Sequence, residues 1–117
     1  MRTVFSIVNQ KGGVGKTTTA VNLATALSIS GKSCLVIDLD PQGNASTGFA
    51  IQQDRRKPGA YEVLTQKVEL ADAIKSTEVN GLGIVPSSVG LAKAEYELDG
   101  GVEKEFVLRS AIEKLPS

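Results

Sequence analysis

The fold is decided near the amino terminus by Val4-Phe5-Ser6-Ile7-Val8-Asn9-Gln10-Lys11-Gly12-Gly13-Val14-Gly15-Lys16-Thr17-Thr18-Thr19. An apolar, β-branched run comes first, a glycine-rich loop follows it, and the last residues can open a helix. Glycines let the backbone curl so that successive N–H groups point at an anion, and the helix adds the positive end of its dipole. The segment therefore predicts a strand, a phosphate-binding loop and a helix, with a polyphosphate as ligand.

The loop departs from the common phosphate-binding pattern at Gln10, which stands five residues before the Gly-Lys pair where that pattern has glycine. A simpler interpretation is that Gly12, Gly13 and Gly15 form a flexible turn with solvated lysines beside it. The order of strand, glycines, lysine, paired hydroxyls and helix favours phosphate binding.

Individual residues of the loop have predicted roles. Lys16 is predicted to place its charge on the β- and γ-phosphates, and Thr17 to give its hydroxyl to Mg²⁺. The main-chain cradle is predicted to consist of Gly12, Gly13, Val14, Gly15, Lys16, Thr17 and Thr18. Together these residues predict a site for a magnesium nucleotide.

The next predicted strand covers residues 33–39. A second group of candidate residues, Asp38 and Asp40, stands at its carboxyl end. A strand–helix–strand unit implies parallel strands with a right-handed crossover, and ligands of such sheets bind at the carboxyl ends of the strands. We therefore expect the loop at 10–16 and the two carboxylates to share one crevice. The alternative is that the two acids only end the strand and begin a turn at Pro41.

The rest of the chain completes an α/β pattern. Gly31 is placed to end the first helix. The further predicted elements are a helical turn at 45–49, a polar loop at 52–58, short helices at 60–65 and 70–74, a strand from residue 82 that runs into a Pro-Ser loop at 86–88, and a helix at 91–98. An amphipathic helix at 102–115 has a polar side of mixed charge, so we expect its other side to pack against the sheet. That apolar side is predicted to carry Val102, Phe106, Leu108, Ala111, Ile112 and Leu115.

Composition excludes several classes of function. The 13 basic and 13 acidic residues cancel, so charge alone predicts neither a nucleic-acid nor a membrane partner, and the run Arg55-Arg56-Lys57 is expected to be a solvated loop. The absence of histidine excludes Ser-His and Cys-His catalysis. No apolar stretch approaches the roughly 20 residues that span a bilayer. The single cysteine, Cys34, is expected to be a small buried hydrophobe in a reducing compartment.

The motifs also resemble those of a known family. The octapeptide Lys-Gly-Gly-Val-Gly-Lys-Thr-Thr at 11–18 resembles the deviant Walker A loop of the ParA/Soj/MinD ATPases. The run Asp38-Leu39-Asp40-Pro41-Gln42-Gly43-Asn44 is similar to the second nucleotide-site motif of the ParA/Soj branch. The resemblance implies ATP or ADP with Mg²⁺ as cofactors.

The resemblance also assigns roles to single residues. Lys11 corresponds to the signature lysine that crosses the interface of a nucleotide-sandwich dimer and contacts the partner's ATP. Asp40 would position the attacking water, and Asp38, with Thr17, would order the Mg²⁺ shell. The residues implied in catalysis are therefore Lys11, Lys16 and Asp40.

The fold implied by the resemblance is a three-layer α/β/α P-loop NTPase with a mostly parallel sheet. Members of the family continue, after a helix like that at 102–115, into a Walker B strand, whereas this sequence stops at Ser117. We therefore expect residues 1–117 to be the amino-terminal part of such a domain, truncated before that strand. No secretory leader precedes the first predicted strand, so we expect a cytoplasmic protein. Full-length relatives are nucleoid-associated.

The implied function is that of a partitioning ATPase for plasmids or chromosomes, an ATP-dependent dimer switch stimulated by a ParB-like partner. Full-length relatives bind non-specific DNA through their carboxyl-terminal part, so we do not expect DNA binding by this chain, and no membrane partner is implied. The alternative is a non-enzymatic remnant that binds nucleotide weakly or associates with intact homologues.

Overall fold

The structure, a computed structural model, describes residues 14–40, 43–87, 90–91 and 104–115; side chains are described from residue 19 in the first segment and from residue 106 in the last. The predicted strand at 4–9 and nearly all of the predicted helix at 91–98 lie outside these residues. The described elements are α1 (Val14–Ile29), β1 (Cys34–Ile37), α2 (Asn44–Gly48), a 3-10 turn (Gln53–Arg55), α3 (Ala60–Leu64), α4 (Leu70–Ala73), β2 (Lys75–Ser76), β3 (Leu82–Val85) and α5 (Lys104–Glu113).

A glycine just beyond its last residue closes the first helix, as predicted. Gly31 has a φ of 97°, a left-handed conformation that costs glycine little. The N–H of Lys32 donates to the carbonyl of Leu27 at 3.0 Å, and the N–H of Gly31 donates to the carbonyl of Ser28 at 3.1 Å. This pair of bonds is a Schellman motif, which satisfies the last carbonyls of the helix and turns the chain toward β1.

The described sheet has three strands in the order β1-β3-β2. β1 and β3 are parallel, with Cys34 opposite Leu82 and Ile37 opposite Val85. The parallel pair confirms the predicted α/β class, and the carboxyl ends of both strands therefore lie at the same edge of the sheet. β2 pairs antiparallel with β3 over two residues. The pattern does not predict β2, since two polar residues give no periodicity.

Helices cover both faces of this sheet. The first core cluster lies under α3 and α4 and consists of Ala60, Val63, Leu64, Leu70, Ala73, Val85 and Leu91. The second includes α1 and consists of Ala24, Phe49, Ile51, Leu82 and Ile84, with the half-buried Cys34 packed against it. Neighbouring strand residues face opposite sides, which is why Ile84 and Val85 belong to different clusters. The predicted three-layer α/β/α arrangement is therefore confirmed.

The predicted amphipathic helix is present as α5, but the position of one residue in it was wrong. Phe106 is 67% exposed, whereas Val107 is buried. A helix turns about 100° per residue, so Phe106 lies on the opposite side from Leu108. The residues of α5 and its end that pack against the first cluster are Leu108, Ala111, Ile112 and Leu115. In the described segments, no helix is both long and apolar enough to cross a lipid bilayer.

The basic run that begins at the last residue of the 3-10 turn also requires a correction. Arg55 and Lys57 are exposed, as expected of a solvated loop. Arg56 is only 6% exposed. Its guanidinium is turned inward because it finds acceptors on α2 and on the residues that follow α2.

Gly59 fixes how closely the start of α3 approaches the end of β3. A Cβ at this position would lie 2.4 Å from the carbonyl oxygen of Pro86 and 2.5 Å from that of Arg56. Both atoms belong to the main chain, so neither can move without shifting an element. The approach is tight because the N–H of Ala60 donates to the Pro86 carbonyl at 2.8 Å.

We therefore expect Gly59→Ala to lower the free energy of unfolding by about 1–3 kcal/mol, the usual cost of overpacking. Urea denaturation followed by circular dichroism measures the loss. Gly48→Ala is the matched control, because a Cβ there would lie 3.4 Å from a methyl of Val21, an ordinary contact, and alanine is the better helix former. Equal stability of the Gly59 variant and the unmodified chain would contradict this account.

Candidate functional site

The predicted phosphate-binding residues are only partly covered by the structure. Lys11, Gly12 and Gly13 lie outside the described residues. Residues 14–18 are described as backbone alone, and they form the start of α1. The helix thus begins inside the glycine-rich loop, which is where a phosphate-binding loop requires a helix amino terminus.

The start of α1 lies toward the same edge of the sheet as the two predicted carboxylates. α1 packs against β1, and a short connection at 30–33 joins the two elements. Because the connection is short, helix and strand run in opposite directions. The beginning of α1 is therefore directed toward the end of β1, where Asp38 and Asp40 follow the strand.

Asp38 is buried, with 4% of its surface exposed. One carboxylate oxygen, Oδ1, accepts the N–H of Asp40 at 3.1 Å. The other, Oδ2, accepts the N–H of Ser46 at 2.9 Å and the hydroxyl of the same serine at 2.6 Å. Three donors offset the cost of burying this carboxylate, and they tie the end of β1 to α2.

Ser46 connects this carboxylate to the second parallel strand. Its hydroxyl oxygen also accepts the N–H of Ser87 at 3.0 Å, and both serines are buried. The hydroxyl of Ser87 in turn donates to the main-chain carbonyl of Asp40. The ends of β1 and β3 are therefore joined by one continuous chain of hydrogen bonds through Asp38, Ser46, Ser87 and Asp40.

Asp40 is half-buried and is held at both its main chain and its side chain. Its carbonyl accepts the N–H of Gly43 at 2.8 Å, and Gly43 has a left-handed φ of 69°. Its Oδ2 accepts the side-chain amide of Asn44 at 3.0 Å. The pair Asp40 and Gly43, joined by their main-chain hydrogen bond, is called the Asp40 turn below. Asp40 is thus placed just after the end of β1, with both its main chain and its side chain hydrogen-bonded.

Arg56 lies behind the Asp40 turn. Its Nε donates to the carbonyl of Ile51 at 3.0 Å, and its Nη2 donates to the hydroxyl of Thr47 at 3.1 Å. Its Nη1 lies against Gly43, where a Cβ would be only 2.7 Å away. The guanidinium therefore occupies the space that a side chain at Gly43 would fill.

Nothing in the sequence pattern singles out Ser46, Ser87 or Arg56 as parts of this site. The one available signal is topological, since a Pro-Ser loop that follows a strand parallel to β1 must end at the same edge as Asp38. Among three consecutive basic residues, periodicity cannot tell which one turns inward.

Within the described residues, no group of three or more His, Cys, Asp or Glu side chains could hold a metal ion. Asp38 already accepts three hydrogen bonds, and a carboxylate offers about four lone-pair sites. It can therefore accept one further bond, as from a metal-bound water. A magnesium ion that keeps most of its water shell is compatible with this donor set.

Comparison with known proteins relates the whole chain to one family. A family model described as an AAA domain matches residues 2–117. The chromosome partitioning protein ParA of Caulobacter vibrioides is 46% identical over 112 residues, which are 96% of this chain and 42% of the relative. The sporulation initiation inhibitor protein Soj of Bacillus subtilis is 42% identical over 113 residues, which are 97% of this chain and 45% of the relative.

A solved structure of cobyrinic acid a,c-diamide synthase from Mycobacterium smegmatis, with bound ATP analog and magnesium, is also similar. It matches with a TM-score of 0.87 at 36% identity, and the match covers 94% of this chain and 45% of that one. The chain therefore spans less than half the length of each of these three proteins.

Proposed function

The chain belongs to this AAA domain family, in its ParA/Soj branch, and we propose that it binds Mg-ATP and acts in a partitioning ATPase. The observation that supports this most directly is the placement of Asp40. Hydrogen bonds from Gly43, Asn44 and Ser87 hold it at the end of β1, at the edge toward which α1 begins.

The proposed chemistry assigns one task to each residue. The main chain from Gly12 to Thr18 surrounds the phosphates, and Lys16 places its charge on the β- and γ-phosphates. Asp40 accepts a hydrogen bond from the attacking water and aligns it with the γ-phosphate. Fixing the carboxylate in advance lowers the entropic cost of that alignment. Magnesium, when bound there, would supply charge neutralisation at the phosphoryl oxygens.

Asp38 and Thr17 would hold the metal in this proposal. Thr17 offers its hydroxyl, and Asp38 uses its remaining acceptor site for a water of the magnesium shell. The buried hydrogen bonds to Ser46 keep Asp38 from turning toward the ion. Its role is therefore to orient the water shell rather than to displace it.

The proposed function also involves a second subunit, a stimulating protein and a cargo. Lys11 would reach the nucleotide of a second subunit, so that ATP rather than ADP favours a dimer. A ParB-like protein would stimulate hydrolysis, and the cargo would be a plasmid or a chromosome. The name of the ParA relative, a chromosome partitioning protein, supports the partitioning role.

The proposal is tested by isothermal titration calorimetry of the 117-residue chain with Mg-ADP and Mg-ATP. We expect binding of both. Nucleotide at about a hundred times its dissociation constant should raise the free energy of unfolding by roughly 2.7 kcal/mol, which a thermal-shift assay can detect. Inorganic phosphate at the same concentration is the control for a non-specific anion effect.

Phosphate release under the same conditions decides between the two candidate functions. Release of phosphate from bound ATP supports the ATPase. Binding without release supports a chain that binds nucleotide without hydrolysing it. If neither nucleotide gives heat or a thermal shift, the proposal is wrong.

A further inference from the structure

Arg56 contacts α2 at both ends. Its bond to the Ile51 carbonyl reaches the chain just after this helix, and its bond to Thr47 reaches the helix itself. At the other end, Nη1 lies against Gly43, the residue that precedes α2 and is part of the Asp40 turn. One side chain therefore fixes the position of this short helix relative to the Asp40 turn.

The backbone of Arg56 is itself anchored to the end of β3. Its carbonyl lies against Gly59, and the next residue, Ala60, donates its N–H to the carbonyl of Pro86. Ser87 then bonds to the carbonyl of Asp40. The contacts form a closed ring that starts and ends at the Asp40 turn, so movement of one member must displace the others.

Burying the Arg56 guanidinium costs free energy, so its hydrogen bonds must offset that cost. Among the described residues no carboxylate forms an ion pair with it, and its described acceptors are a carbonyl and a hydroxyl. Burying a guanidinium is expensive, whereas an unbranched apolar side chain would fill similar space without that cost. What arginine adds is a rigid fork of donors that can bind several acceptors in fixed directions.

We propose that Arg56 is a positioning residue: its buried guanidinium holds the Asp40 turn against α2 and so fixes the direction in which Asp40 faces. The inference rests on the proposed function only for what Asp40 does there. The geometry of the turn can be measured without any nucleotide.

The main test is amide hydrogen exchange in Arg56→Met, which keeps much of the buried volume and removes the donors. We expect the amides of Gly43 and Ser46, which bond to Asp40 and Asp38, to exchange about ten to a hundred times faster, the range for losing hydrogen bonds to a charged donor. The amides of Cys34 and Asp38, which bond to Gly81 and Val85, report on the sheet and should change much less.

Three further variants serve as controls for Arg56→Met. Arg55→Ala removes the exposed neighbouring cation and should change none of these amides. Arg56→Lys keeps the charge but not the fork, so it should restore little protection. Thr47→Val removes one acceptor at an exposed position and keeps the test valid should Arg56→Met fail to fold. It should accelerate exchange at the Asp40 turn by a few-fold.

Two outcomes would overturn the proposal. The first is full protection of Gly43 and Ser46 in Arg56→Met or Arg56→Lys, since packing or charge alone would then suffice. The second is exchange at the Asp40 turn that is unchanged in Thr47→Val while Arg56→Met is unfolded.

A nucleotide measurement connects the turn to the proposed site. Because Asp40 is proposed to act at the γ-phosphate, Arg56→Met should weaken binding of a magnesium complex of a non-hydrolysable ATP analogue more than binding of Mg-ADP. Equal weakening of both would mean that the turn does not direct Asp40 toward the γ-phosphate, which overturns that part. If the unmodified chain binds neither ligand, the proposed function is wrong, and the exchange data still decide the role of Arg56.

Discussion

Replacing Lys16 by alanine should lower the affinity of the chain for Mg-ATP about a hundredfold, since hydrogen bonds to charged groups are each worth about 1.5–3 kcal/mol. Lys16 lies in the first turn of α1, where the helix dipole and the main-chain N–H groups already favour an anion. A lysine ammonium adds a full positive charge that these groups lack. Calorimetry with Mg-ATP on both proteins measures the loss directly.

Lys32→Ala provides the matched control, because it removes the same charge from an exposed position at the other end of α1. We expect it to leave nucleotide affinity nearly unchanged, which shows that the effect of Lys16 is local. Both variants should unfold at nearly the same urea concentration as the unmodified chain. If Lys16→Ala and the unmodified chain bound Mg-ATP equally, the loop would not be a phosphate-binding site.

The second large effect is expected at Asp38. Asp38→Ala removes the acceptor of three hydrogen bonds, two from Ser46 and one from the N–H of Asp40. Leaving a buried donor without a partner costs about 1–3 kcal/mol, so we expect a loss of about 3 kcal/mol or more in the free energy of unfolding. Urea denaturation measures this loss without any nucleotide.

Asp38→Asn tests whether stability depends on the volume of the side chain or on its capacity to accept hydrogen bonds. The amide keeps the volume and one acceptor, but its NH₂ group must face a donor, so the loss should be smaller than for alanine and still clear. Asp54→Ala, at an exposed position in the 3-10 turn, is the control and should change stability by less than about 0.5 kcal/mol. If Asp38→Ala were no less stable than that control, the buried hydrogen bonds would not hold the two strand ends together.

Local patterns were enough to predict the elements that form the frame of the site. Periodicity and a terminal glycine identify α1 and its Schellman end, and an apolar run that ends in two acids identifies β1 and the edge that carries Asp38 and Asp40. These features depend on neighbours within a few residues. Parallel pairing of β1 with β3 then follows from the alternation of strands and helices.

The contacts that complete the site could not be predicted because they depend on how the elements pack, and one of them joins distant parts of the chain. Ser46 and Ser87 are 41 residues apart, and no period relates them. The inward turn of Arg56 depends on acceptors that α2 offers only once it has packed. The error at Phe106 has a different origin, since apolar residues spread over more than half of a helix do not define a single side. The roles of Lys11 and of the loop side chains stay predictions.

The hydrogen bond from Ser87 to Asp40 also determines when the two strand ends of this site can be joined during folding. The two residues are 47 positions apart in sequence, so the bond closes a long loop, and the entropy of that closure must be overcome before the contact contributes stability. An early intermediate that contains α1, β1 and α2 can already form the local bonds from Gly43, Asn44 and Ser46, but the carbonyl of Asp40 still lacks its bond from Ser87. On the ribosome, where chains grow by about 5–20 residues per second, this last bond to Asp40 forms only after β3 has emerged and docked.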